Sequence, residues 1–157
     1  GKATIEGNRG WQMTLYLTIP GIPKAKQSAR HCVRFGHVHS YQKKEVVQNE
    51  QNIRAIILSQ LPKDFTPFTQ GVIVKRLLYI FPPTSNWSKK KIKELEEDVL
   101  IFKTTKPDLD SNLNKALFDA MEGIIYLNDS QVCQIQNNSK VYGFTPRIEI
   151  ELSEVQE

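Results

Sequence analysis

Apolar residues fall along this chain in short periodic blocks, set apart by polar stretches and by proline or glycine. In MTLYLTIPG, Leu15, Leu17 and Ile19 share one face at a period of two, which predicts a strand with one buried side that ends at Pro20-Gly21. The stretch IPKAKQSARHCVRFGHVHSYQKK has no such period. Gly36 is placed to turn a short hairpin between HCVRF and HVHSY. From about Lys43 to Leu61, the residues Val46, Val47, Ile53, Ile56, Ile57 and Leu61 recur largely at helical spacing, and Pro62 ends the run. GVIVKRLLYIFP is apolar and β-branched, a buried strand stopped by Pro82-Pro83.

SKKKIKELEEDVLI predicts a helix with Ser88 as N-cap. Leu113, Ala116, Leu117, Ala120 and Met121 then stand at i, i+3, i+4, i+7 and i+8, the stripe of a helix over about Asn112 to Glu122, with Gly123 just past its end. This stripe is core packing rather than a cofactor site. An Asn128-Asp129 turn leads to a strand around Gln131 to Gln136, and TPRIEIEL alternates as a final strand with one wet face. The pattern predicts an α+β single domain: a small mixed sheet of about four or five strands with about three helices. Residues 1–12 are expected to be a flexible N-terminal tail and 13–157 the domain.

Composition narrows the class. A chain of 157 residues, 39% hydrophobic and 24% charged, has enough apolar material for one moderate core. No apolar run reaches the length of a membrane span, and the polar N-terminus lacks the apolar stretch of a signal peptide. Cys32 and Cys133 are too far apart for a zinc pattern, and a disulfide between them is not to be argued from sequence. Both are expected to be reduced, in a cytoplasmic protein with no membrane partner.

Charge is unevenly placed. The net charge is +4. From Pro20 to Lys44 there is no acid, against Lys24, Lys26, Arg30, Arg34, Lys43 and Lys44; from Lys106 to Gln131 the acids Asp108, Asp110, Asp119, Glu122 and Asp129 face only Lys106 and Lys115. An acidic site within a basic protein suits a metal-dependent enzyme acting on a polyanion; the other reading is ordinary solvated surface. The Ser88 helix carries Lys89, Lys90 and Lys91 at its positive end and its acids further along, the reverse of what the macrodipole favours. A phosphate outside the helix would favour lysines there.

The candidate chemistry lies in KPDLDSNLNKALFDAM. Asp108 and Asp110 have i, i+2 spacing after Pro107, so on an extended segment both point to one side where the chain meets the helix. A hard divalent ion takes one or two carboxylates and leaves room for water and substrate phosphate. Asp129, on the turn beyond the same helix, is positioned to return as a third. Converging carboxylates beside a lysine are what metal-assisted phosphodiester hydrolysis requires. The competing reading is capping: Asp110 or Ser111 caps the helix and Asp108 is merely solvated. A calcium loop is excluded, because Leu113 stands where the sharp turn needs glycine and Asp119 where the loop ends in glutamate.

TKPDLDSNLNKALFDAMEGIIYLNDSQV resembles the signature of the RusA family of Holliday junction resolvases, found in bacteria and often in prophages: K-P-D-x-D-N-L-x-K, an apolar helix ending D-A-L-x-G, then D-D-x-Q-V. IPGIPKAKQSAR, PPTSNWSKKK and PRIEIEL are similar to the family's outer segments, so the likeness spans about Leu15 to Leu152. The resemblance implies a homodimeric, Mg²⁺-dependent endonuclease (Mn²⁺ as a substitute) that cuts four-way DNA junctions in recombination and repair. It places catalytic and metal-binding roles on Asp108, Asp110 and Asp129, and a catalytic role on Lys115. Lys24, Lys26, Arg30, Lys89, Lys90, Lys91 and Lys106 are the expected DNA contacts. Two departures stand out. Asn128 replaces the first acid of D-D, and Ser111 is inserted, which would turn Lys115 by about 100° on a regular helix unless the start of the helix absorbs it. A catalytically weak junction-binding dimer is the alternative.

His31, Cys32, His37 and His39 fit no standard zinc spacing and are read as part of a basic loop near DNA. Trp87 is expected to anchor the following helix rather than to stack on bases. No phosphate-binding glycine loop, H-E-x-x-H or G-x-S-x-G is present.

Overall fold

The computed structural model describes residues 3–7, 11–25, 30–34, 36–41 and 44–156, with side chains for 13–25 and 44–156. Among the described residues, eight strands and three α-helices follow one another: β1 (Ala3–Gly7), β2 (Trp11–Pro20), β3 (Arg30–Arg34), β4 (His37–Tyr41), α1 (Lys44–Gln60), β5 (Val72–Phe81), α2 (Lys89–Glu96), α3 (Lys115–Met121), β6 (Val132–Ile135), β7 (Asn138–Tyr142) and β8 (Arg147–Glu154). A π-helical turn, Leu109–Asn114, runs directly into α3, and a 3-10 turn, Asp129–Gln131, precedes β6. The class is α+β with a mixed sheet, as the periodicity predicts.

The main sheet has the order β1-β2-β8-β5-β6, with β7 also on β5, and β3 and β4 form a separate hairpin. That hairpin turns at Gly36, whose φ of 77° favours glycine. The alternation in β2 and β8 builds the core directly: Leu15, Leu17 and Ile19 sit opposite Leu152, Ile150 and Ile148, all buried. Within the expected tail of residues 1–12, Ala3–Gly7 instead pairs with β2 from Ala3↔Leu15 to Gly7↔Trp11, because β2 reaches back past residue 13 and offers an edge.

β5 is the central strand, antiparallel to β8 and parallel to both β6 and β7. Its buried side chains change parity, from Val72 and Val74 to Leu77, Tyr79 and Phe81. A bulge between Val74 and Arg76 takes up the extra residue, so both halves keep their apolar side toward the core. The same irregularity divides the edge of β5. β6 pairs with Val72–Val74 and β7 with Leu77–Phe81, while Asn137, at φ 49°, spans the break and donates its side-chain amide to the Lys75 carbonyl at 3.0 Å.

α1 and α3 pack together over this core, where Ile53 and Ile57 of α1 join Leu113, Leu117, Ala120 and Met121. Arg54 of α1 donates to the carbonyls of Ala120 (3.1 Å) and Glu122 (2.7 Å), a cation on the negative end of α3. Gly123 comes next at φ 83°, as expected of a residue just past a helix end. α2 is shorter than its sequence pattern suggests. It ends at Glu96, and Asp98 turns the chain at φ 60°. No helix among the described residues is long and apolar enough to cross a membrane.

Candidate metal-dependent nuclease site

The helix of the aspartate motif begins earlier than its apolar stripe suggests. Asp108 is extended (φ −68°, ψ 139°), after a cis Lys106–Pro107 peptide, but Asp110 already lies in the π turn. The strand-like pairing expected of the two aspartates therefore holds for Asp108 alone. In the turn, the Leu113 amide donates to the Asp108 carbonyl and the Lys115 amide reaches the Asp110 carbonyl, each five residues back. A π turn takes one more residue to close than an α turn. This gives room for the extra residue that the resemblance assigns to Ser111, which is exposed, and the apolar stripe faces the core: Leu113, Ala116, Leu117, Ala120 and Met121 are all buried.

Deleting Ser111 is accordingly expected to convert the π turn to an α turn and to change the junction-cleavage rate by less than about threefold, with stability altered by about 0.5–2 kcal/mol, the scale of a change at a helix start. A rate gain of about two orders of magnitude, measured at unchanged junction affinity, would mean that Lys115 is misplaced in the native chain.

Asp108 and Asp110 are exposed, and Asp108 makes no capping hydrogen bond. Neither forms an ion pair among the described residues. Each leaves its carboxylate open to solvent, and exposed carboxylates are the ligands that a hard divalent cation takes while keeping sites for water and phosphate oxygen.

Lys115 points along α3 to Asp119, Nζ to Oδ1 3.1 Å. That hydrogen bond and the Asp119 charge, aided by Asp129 and Glu122, hold its ammonium above the usual lysine range, so it is cationic at neutral pH. Asp129 stands on the 3-10 turn at the other end of the helix. Its amide donates to Glu122 Oε1 at 3.0 Å, and its charge is felt by Lys115 and by Tyr126. Tyr126 donates to the Phe118 carbonyl at 2.6 Å, and its hydroxyl is pushed far up, first by burial and then by Asp129, Glu122 and Asp119. Asp129 is thus bonded through its amide to Glu122, and its charge acts on Lys115. Among the described residues, no three acids, histidines or cysteines stand close enough to share one metal ion.

Gln131 fixes the Asp129 turn. Its side-chain oxygen accepts from the amides of Leu127 (2.8 Å) and Asn128 (2.9 Å), while its nitrogen donates to the carbonyls of Phe68 and Gln70, both at 2.8 Å. Asn128 returns the bond by accepting from the Ser130 amide, completing a capping box. Sequence reasoning passed over this role, although Asn128-x-x-Gln131 has capping-box spacing. It also passed over Asn114, which is buried, accepts from Tyr79 Oη at 2.8 Å and donates to Asn138 Oδ1 at 2.7 Å.

The expected DNA contacts divide. Lys24, Lys89, Lys90 and Lys106 are exposed. Lys91 is half-buried, with its ammonium 3.9 Å from the centre of the Trp87 ring, and Trp87 meets Tyr142 of β7 edge-on at 4.7 Å. Trp87 is thus packed at the foot of α2, and one of the three lysines there is held over its indole face. Lys26 lies outside the described residues, as do the side chains of Arg30, His31, Cys32, His37 and His39. Cys133 is free.

The chain is similar to the uncharacterized protein YqaN of Bacillus subtilis (strain 168), 34% identical over 139 residues, which cover 88% of this chain and 95% of that protein. The family model described as endodeoxyribonuclease RusA matches residues 20–153, nearly the whole domain including Asp108, Asp110, Lys115 and Asp129, and the chain belongs to the RusA endodeoxyribonuclease family.

Proposed function

We propose that this protein is a Mg²⁺-dependent, structure-selective endonuclease that resolves four-way DNA junctions as a homodimer, in recombination and repair. The observation that carries the reading is the pair of open carboxylates, Asp108 and Asp110, at the start of a helix whose next turn presents a cationic Lys115, in a chain of the RusA family. Asp108 and Asp110 would hold the ion; because no three acids of the described residues stand close enough within one chain to share it, Asp129 would join them as a third carboxylate only on assembly of the dimer. Mg²⁺ bound there would supply an activated water and neutralise charge on the phosphate. Lys115 stabilises negative charge on the phosphate in the transition state, and Asp119 holds its side chain along the helix. Gln131 keeps the Asp129 turn rigid.

The alternative, a catalytically weak junction-binding dimer, drew on rotation of Lys115 by Ser111. The π turn supports the catalytic reading instead, because it offers a place for the extra residue ahead of Lys115. The deciding experiment is cleavage of a synthetic four-way junction against linear duplex, with Mg²⁺ and with EDTA. Symmetric cleavage of the junction with Mg²⁺ alone is expected. Binding without cleavage would favour the alternative.

Lys24 is exposed where β2 ends, in the acid-free stretch. Lys24→Glu is expected to weaken junction and duplex binding together and to reduce the slope of log K against log salt by about one phosphate contact or more. An unchanged slope in a salt titration would place the DNA elsewhere.

A further inference from the structure

We propose that β7 is the cradle of the aspartate pair, and that Lys140 is a positioning residue that raises the affinity of Asp108 and Asp110 for a divalent cation. The proposal rests on the metal-dependent reading above.

The chain that leads into the aspartates runs along the free edge of β7. The Tyr142 amide donates to the Ile101 carbonyl at 3.0 Å, Phe102 bridges to Val141, and the Lys103 amide donates to the Lys140 carbonyl at 2.9 Å. Beyond Lys103 this backbone ladder stops. The Lys140 side chain continues it, with Nζ donating to the carbonyls of Thr105 (2.7 Å) and Pro107 (2.8 Å). Pro107 is the residue before Asp108, so the ammonium holds the last peptide ahead of the carboxylate.

Two residues earlier on the same strand, Asn138 takes the other end. Its oxygen accepts from the Asn114 side chain at 2.7 Å, and its own amide donates to the Leu77 carbonyl at 3.1 Å. Asp108 to Leu113, with both aspartates, therefore lie between two anchors on one strand. That strand is itself fixed to β5 from Leu77↔Asn138 to Phe81↔Tyr142.

Lys140 forms no ion pair among the described residues; the partners of its ammonium are neutral carbonyls. A lysine near a cation site has two effects of opposite sign. Its charge repels the cation. Its hydrogen bonds hold the carboxylates in place, and partners of this outer kind are typically worth about 10–100-fold in metal affinity or activity. The sign of the change on removing Lys140 separates the two.

The test is direct titration of the full chain with Mn²⁺, following free ion by electron paramagnetic resonance, with thermal unfolding of each variant alongside. Lys140→Met is expected to raise the Mn²⁺ Kd at least about tenfold, and Lys140→Arg, which keeps charge and donors, to stay within about threefold of native. Should the methionine variant fail to unfold cooperatively, Lys140→Gln replaces it, with the same rise expected. An unchanged or lower Kd in a folded Lys140→Met or Lys140→Gln protein overturns the proposal while leaving the nuclease reading intact. Absence of Mn²⁺ binding by the native chain overturns both.

Discussion

Asp108→Asn is expected to lower Mg²⁺-dependent junction cleavage by at least about a hundredfold, beyond the 10–100-fold typical of residues that merely support a metal ligand. The substitution keeps the shape of the side chain and removes the charge that makes it a ligand for a hard cation. The fold should be unaffected, because Asp108 is exposed and makes no capping bond. Junction binding measured in EDTA should likewise persist, since the lysines meet the phosphates and the aspartate does not. Single-turnover cleavage and gel-shift binding on the same junction check the two halves separately. Undiminished Mg²⁺-dependent cleavage would remove Asp108 from the site.

Leu117→Ala is expected to destabilise the protein by about 2–5 kcal/mol, the range for truncating a fully buried leucine. Leu117 is 1% exposed and belongs to the cluster in which α1, α3 and the sheet meet. Against a total stability of about 5–15 kcal/mol, this is a large fraction, and it should appear as a lower urea midpoint with the slope unchanged. A shift worth less than about 1 kcal/mol would mean that the helix contributes little to the core. The two substitutions lie within one short stretch and separate its duties, with chemistry at the exposed mouth and cohesion on the buried stripe.

The parts of the fold legible in the sequence are those where burial imposes a period. β2, β5, β8, α1 and the α3 stripe all have an apolar side against the core, and each appears close to its expected place. β7 does not show itself, because Asn138, Ser139 and Lys140 carry no apolar alternation; pairing with β5 holds it. β1 is hidden in the same way, as a strand taken up by an available edge.

In the site, Asp108, Asp110, Asp129 and Lys115 are conspicuous through spacing and resemblance. Gln131, Asn114 and Lys140 act mainly through bonds to backbone carbonyls and amides or to other amide side chains, which leave no periodicity to read. The lysines at the start of α2, placed against the macrodipole, are legible only in part. The indole that engages Lys91 lies just four residues away, but that contact depends on the Trp87 packing against β7.

The bulge in β5 and the π turn before α3 are each a single surplus residue, one in a strand and one in a helix. Both are confined, so that the faces on either side stay in phase. For comparison among relatives, positions in this chain therefore correspond by face rather than by running number. A gap opened opposite Ser111 belongs inside Leu109–Asn114; moved past Lys115, it would set the lysine against a residue from another side of the helix. A gap near Lys75 likewise belongs between Val74 and Arg76, where shifting it by one residue would exchange the buried and solvent sides of half of β5.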